Sequence, residues 1–166
     1  SCDLRPADDG SPYHFQADAL GVARCGKWDM MIAHPPCTHL ASSGARWLTD
    51  HIVSNKRGDW FHDGSAKRAM QREALQFVLD LWACPIHEIA IENPVGMLSS
   101  LWMPPTQYVQ PWWFGHGETK KTGLWLKNLP PLSPTYIVGG RDQRIWKMAP
   151  GPDRWKERSK TYPGLA

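Results

Sequence analysis

Two short motifs carry groups that can do chemistry. The first is Pro35-Pro36-Cys37. Consecutive prolines fix the backbone and hold the next side chain in one place. A thiol held this way is a candidate nucleophile once a helix start or a nearby cation lowers its pKa. Its other reading is an inert buried cysteine. The second motif is Glu92-Asn93-Pro94. It ends an apolar run, a place where a carboxylate is expected to be half-desolvated and able to hold a proton. A protonated carboxyl can donate to a ring nitrogen of a base. Taken alone, Glu92 and Asn93 also read as polar residues tying down a turn. His34, Cys37 and His39 lie close in sequence, but two prolines between them hinder wrapping around one ion. No fourth ligand is evident, so no metal is assigned.

Both motifs need elements to position them. Residues 28–33 form a short apolar run stopped by His34-Pro35-Pro36, which predicts a buried strand, of parallel type. Residues 86–91 predict a second, stopped by Glu92-Asn93-Pro94. Between them, Ala66, Met70, Ala74, Phe77, Val78 and Leu81 recur at steps of three and four, which predicts a helix over 65–83. Ser65 is suited to cap its start, and Pro85 forbids its continuation. Strand, helix, strand is a βαβ unit, and in open α/β sheets ligands bind outside the carboxyl ends of the strands. Both motifs are therefore expected at one crevice. Residues 1–4 read as the tail of a further strand and residues 122–126 as another. The fold class is α/β. One domain is expected, with a βαβ core over 1–100 and a Pro/Trp-rich, basic segment over 101–166 packing on it.

Composition sets limits. The 166 residues suit one domain with a real core. Apolar residues at 42% and charged residues at 21% exclude a disordered chain. No apolar run approaches the roughly 20 residues that span a bilayer, so no membrane is expected. A net charge of +3 permits an anionic partner without demanding one. Ten Trp and fifteen Pro point to ordered loops, and to either a wall for a planar ligand or simple core filling. Cys2, Cys25, Cys37 and Cys84 include no Cys-x-x-Cys pair, which favours reduced thiols and a cytosolic protein.

Together the motifs are more specific than either alone. With Ile32-Ala33-His34-Pro35-Pro36-Cys37-Thr38-His39-Leu40 and Ile89-Ala90-Ile91-Glu92-Asn93-Pro94-Val95-Gly96, the chain resembles the catalytic domain of DNA cytosine-5 methyltransferases. It resembles more narrowly a compact group of these from phages and prophages. Further similarity runs through Phe114-Gly115-His116-Gly117-Glu118-Thr119-Lys120, Leu124-Trp125-Leu126-Lys127 and Ser159-Lys160-Thr161-Tyr162-Pro163-Gly164. The resemblance implies a Rossmann-like sheet with helices on its faces, S-adenosylmethionine as cofactor, DNA as partner, and the cytoplasm of a bacterial host. It implies that Cys37 attacks C6 of a flipped cytosine, that Glu92 holds N3 and the exocyclic amine, and that Arg144 completes the catalytic set. It places Asp3, Leu4, Asp18, Ala19 and Pro35 against the cofactor, with Asp3 on the ribose and Asp18 on the adenine amine. Pro36, Asn93, Pro94 and Arg141 fall against the substrate. Arg141 and Arg144 depart from the family's usual Gln-x-Arg-x-Arg spacing, and both also read as a basic face touching phosphates.

Two departures shape further expectations. Nothing precedes Ser1-Cys2-Asp3, so the family's first strand and glycine-containing cofactor loop are expected to be missing. The chain also stops where relatives continue into a final helix. An open sheet edge would then be paired by a partner chain, a second copy or a rearranged sheet. Only residues 145–158 separate Arg144 from Ser159, which leaves no room for a large target-recognition region. The alternative function is a non-catalytic nucleic-acid-binding protein on a degenerate methyltransferase fold.

Overall fold

The computed structural model describes residues 1–152, 154–159 and 162. Two strands open the chain, β1 (Cys2–Asp3) and β2 (Phe15–Gln16), paired in parallel. Helix α1 (Ala19–Cys25) follows, then β3 (Met30–Ala33). After the Pro-Pro-Cys loop and a 3-10 turn (Ser42–Leu48) comes a hairpin of β4 (His51–Asn55) and β5 (Gly58–His62). Helix α2 (Ser65–Trp82) leads to β6 (Glu88–Pro94). The rest is α3 (Leu98–Leu101), β7 (Gln107–Val109), β8 (Thr122–Lys127), α4 (Arg144–Lys147) and α5 (Arg154–Ser159).

The main sheet has the order β3-β6-β8-β7. β3 runs parallel to β6, which fulfils the expected βαβ unit, with α2 as its crossover helix. β8 runs antiparallel to both β6 and β7, so the architecture is mixed α/β rather than uniformly parallel.

Register explains which face is covered. Met31 pairs with Ile89, and Ala33 with Ile91, and Ile91 lies opposite Trp125 on β8. These residues share one face because strand side chains alternate. They form the core with Val78 and Leu81 of α2 and with Leu40, Ile86 and Leu98. The opposite face carries Leu124 and Val109, covered by Phe114 and Trp113. At the β3 end that face is bare: Met30 is 48% and Ile32 59% exposed. The expectation of helices on both faces is therefore met on one face only.

The helix over 65–83 is observed within one residue, but its start is held differently from the expected Ser65 cap. Gly64 occupies the N-cap position. Asp63 accepts from the Ser65 N–H and hydroxyl, and Asp50 accepts from the Gly64 N–H. Acidic side chains before the helix thus do the capping, which suits the positive end of its dipole.

Candidate functional site

Parallel pairing of β3 with β6 brings the two motifs side by side. Ala33 is paired with Ile91, so the next residue of each strand, His34 and Glu92, stands next to the other. Their side chains meet, with His34 Nδ1 3.0 Å from Glu92 Oε2. One step further, Asn93 Nδ2 donates to the Pro35 carbonyl at 3.0 Å. Asn93 is buried, and its Oδ1 has no hydrogen-bond partner among the described residues.

Cys37 begins a tight turn. Its carbonyl accepts from the Leu40 and Ala41 N–H groups at 3.0 and 2.8 Å, and its side chain is half-buried. The turn is clamped from two sides. The Met97 N–H donates to the Leu40 carbonyl at 2.7 Å, beside a bridge between Ala41 and Gly96. From α2, Lys67 Nζ lies 2.9 Å from His39 Nδ1 and 3.4 Å from the Thr38 carbonyl, and Gln71 donates to the His39 carbonyl. An open hollow of about 200 Å³ lies between this turn and α2, lined by Pro36, His39, Met70, Glu73, Ala74 and Phe77.

The structure brings Glu92 and Asn93 against His34 and Pro35 at the ends of β3 and β6, with Pro36 and Cys37 following in the turn and Pro94 ending β6. The other expected site residues lie elsewhere. Asp3 ends β1 and accepts from the Arg5 N–H at 2.9 Å. Leu4 is exposed, and Ala19 opens α1. Asp18 caps α1, its Oδ2 accepting from the Gly21 N–H at 2.8 Å. Asp3 pairs with Gln16, so Asp3 and Asp18 project at the carboxyl ends of neighbouring parallel strands. Each has one carboxylate oxygen engaged in the contacts above.

Arg141 and Arg144 are held by the segment before β8. The Arg141 guanidinium stacks 3.8 Å above the Trp112 ring. Arg144 grips Glu118 with two bonds of 2.9 and 3.2 Å, and the Tyr162 hydroxyl donates to the same carboxylate. Arg144, through its hydrogen bonds, holds Glu118 below the ordinary carboxylate range, while Glu118 raises the guanidinium in turn. Burial, then the Glu118 contact, pushes the Tyr162 phenol up to about 12. Arg144 and Tyr162 therefore meet on the Glu118 carboxylate. Lys160, Thr161, Pro163 and Gly164 of the last motif lie outside the described residues.

Sequence reasoning missed His34 as the partner of Glu92, and Lys67, Gln71 and Gly96 as holders of the turn. The signal for His34 was the length of the two apolar runs, which end together when aligned in parallel. Lys67 and Gln71, four apart on α2, share one helix face.

Chemically, the site offers a half-exposed thiol on a fixed turn, a carboxyl steadied by an imidazole, and an anchored amide. Comparison with protein-family models, curated proteins and solved structures found no match to this chain.

Proposed function

We propose that this chain is an S-adenosylmethionine-dependent DNA methyltransferase domain acting on C5 of cytosine. One observation carries the reading: the parallel β3–β6 register sets Glu92 and Asn93 beside His34 and Pro35, where the chain enters the Pro-Pro-Cys turn. A duplex base is inaccessible to such a crevice, so the target cytosine leaves the stack. Glu92 then hydrogen-bonds N3 and the exocyclic amine. The Cys37 thiolate adds to C6, and Glu92 stabilises the charge that develops on the ring. C5 becomes nucleophilic. Asp3 and Asp18 would hold the cofactor, which would supply an electrophilic methyl group when bound. Loss of the C5 proton and of Cys37 restores the aromatic ring. Pro36 and Pro94 wall the base, while Arg141 contacts phosphate.

The Rossmann-like interpretation treats β1–β2 and β3–β6 as parts of one parallel arrangement. The outer edge of β3 is then the place for a strand from a partner chain or a second copy.

The test is transfer of a labelled methyl group from the cofactor to cytosine-containing DNA. Cys37→Ser is expected to abolish transfer while leaving the melting temperature unchanged. DNA containing 5-fluorocytosine, which cannot lose a C5 proton, is expected to trap a covalent adduct with the unsubstituted protein and none with Cys37→Ser. Full activity in Cys37→Ser sinks the nucleophile assignment.

A second reading, non-catalytic nucleic-acid binding, draws on exposed cations seated over aromatic rings: Arg141 on Trp112 and Lys121 on Tyr108. It expects binding that weakens steeply with salt and is indifferent to Cys37→Ser.

A further inference from the structure

The methyltransferase reading assigns Glu92 a proton to give but does not say where that proton comes from. His34 is the group in contact with it, Nδ1 to Oε2 at 3.0 Å. The two are unequal in exposure: the His34 side chain is 49% accessible and the Glu92 side chain 21%. The imidazole can therefore exchange protons with water while the carboxyl sits deeper in the crevice. Opposite Glu92 on β8 stands Leu124, which neither titrates nor donates from its side chain. The titratable and charged residues on the flanking elements are Cys37 and His39 in the turn after β3, Lys67, Arg68, Arg72, Glu73 and Asp80 on α2, Glu88 at the start of β6, Lys121 just ahead of β8 and Lys127 at its end. Lys67 lies against His39.

We propose that His34 is a positioning residue that fixes the Glu92 carboxyl and supplies the proton it delivers to cytosine N3. This rests on the methyltransferase reading. The step balances as follows. Cys37 Sγ bonds to C6, and the electron pair of the C5–C6 double bond moves into the ring towards N3. The Nδ1 proton of the His34 imidazolium passes to Glu92, and the Glu92 proton passes to N3. Net, one proton moves from His34 to N3, leaving a neutral imidazole and Glu92 in the protonation state in which it began. When Cys37 is eliminated, the N3 proton returns by the same route.

The experiment is single-turnover methyl transfer to a cytosine-containing duplex with saturating S-adenosylmethionine, followed across pH. It compares the unsubstituted protein with His34→Asn. Asparagine keeps an N–H donor near the Nδ1 position but cannot titrate. The unsubstituted protein is expected to lose rate as rising pH deprotonates the imidazole. His34→Asn is expected to lose that limb and to run about tenfold or more slower below it, with KM for DNA within about twofold. A His34→Asn profile that keeps both the limb and the rate overturns the proposal, as does loss of rate with the limb intact. His34→Gln serves if His34→Asn melts early. No transfer by the unsubstituted protein at any pH overturns the underlying reading instead, a result distinct from an active protein indifferent to position 34.

Discussion

Asn93 is the residue on which the site geometry turns. It is 1% exposed, and its Nδ2 ties the end of β6 to the Pro35 carbonyl. Replacing it with alanine leaves that carbonyl without its donor and opens a small void. Asn93→Ala is expected to cost about 1–3 kcal/mol in urea unfolding and to slow methyl transfer. Transfer at the full rate would mean that the Pro-Pro-Cys turn does not depend on this bond. At the far end of the chain, Glu118, Arg144 and Tyr162 make a second residue-scale prediction. Glu118 titrates below its ordinary 4.5 when folded. Its contribution to stability is present above that value and is lost as pH falls through the folded pKa. Arg144→Met removes the chief cause, so the two proteins should differ in melting temperature near neutrality and converge in acid. Tyr162 has the opposite sign. Its neutral form is favoured, so its contribution is present below pH 10.0 and is lost as pH rises towards about 12. Phenolate absorbance should show one late tyrosine, and Tyr162→Phe should remove that step.

At the scale of elements, the turn bearing Cys37 is placed by its neighbours rather than by its own sequence. Gly96 shows how closely they approach: a Cβ there would lie 2.4 Å from the Leu40 carbonyl oxygen. That oxygen belongs to the backbone, so relief requires the whole turn to move. Gly96→Ala is expected to destabilise the protein by about 1–3 kcal/mol and to lower the yield of the 5-fluorocytosine adduct. An unchanged melting temperature would show that the turn gives way freely. The βαβ unit was legible because its apolar runs and its 3.6-residue periodicity are strong local signals. The adjacency of the two motifs followed from that unit. The β4–β5 hairpin was not read, although His51 to His62 alternates around a short turn, because its side chains are mostly exposed and give no clean apolar stripe. The direction of β8 was equally invisible, since strand polarity is set by where Trp125 and Leu124 find partners and not by local composition. The roles expected of Arg141 and Arg144 depended on their three-dimensional surroundings, which placed Trp112 and Glu118 against them.

For the molecule as a whole, the open edge of the main sheet is the outstanding feature. β3 pairs with β6 on one side, and no strand is paired on its other side among the described residues. Trp28, Met30 and Ile32 along it are 42%, 48% and 59% exposed. β3 itself contains no proline and no charged residue, the usual devices that keep an edge from pairing with another chain. An apolar edge of this kind recruits a strand or associates with itself. Ile32 pairs with Ala90 and faces away from the core shared by Met31, Ala33 and Ile89, so a lysine there places its charge outside the packed interior. Ile32→Lys is expected to lower concentration-dependent light scattering and the apparent mass in sedimentation, with little change in melting temperature. If the unsubstituted protein sediments as a monomer at every concentration, self-pairing along β3 is excluded and the edge needs a strand from a different chain. If Ile32→Lys instead lowers the melting temperature sharply, the Ile32 face is packed in solution, and the sheet is covered there by more than water.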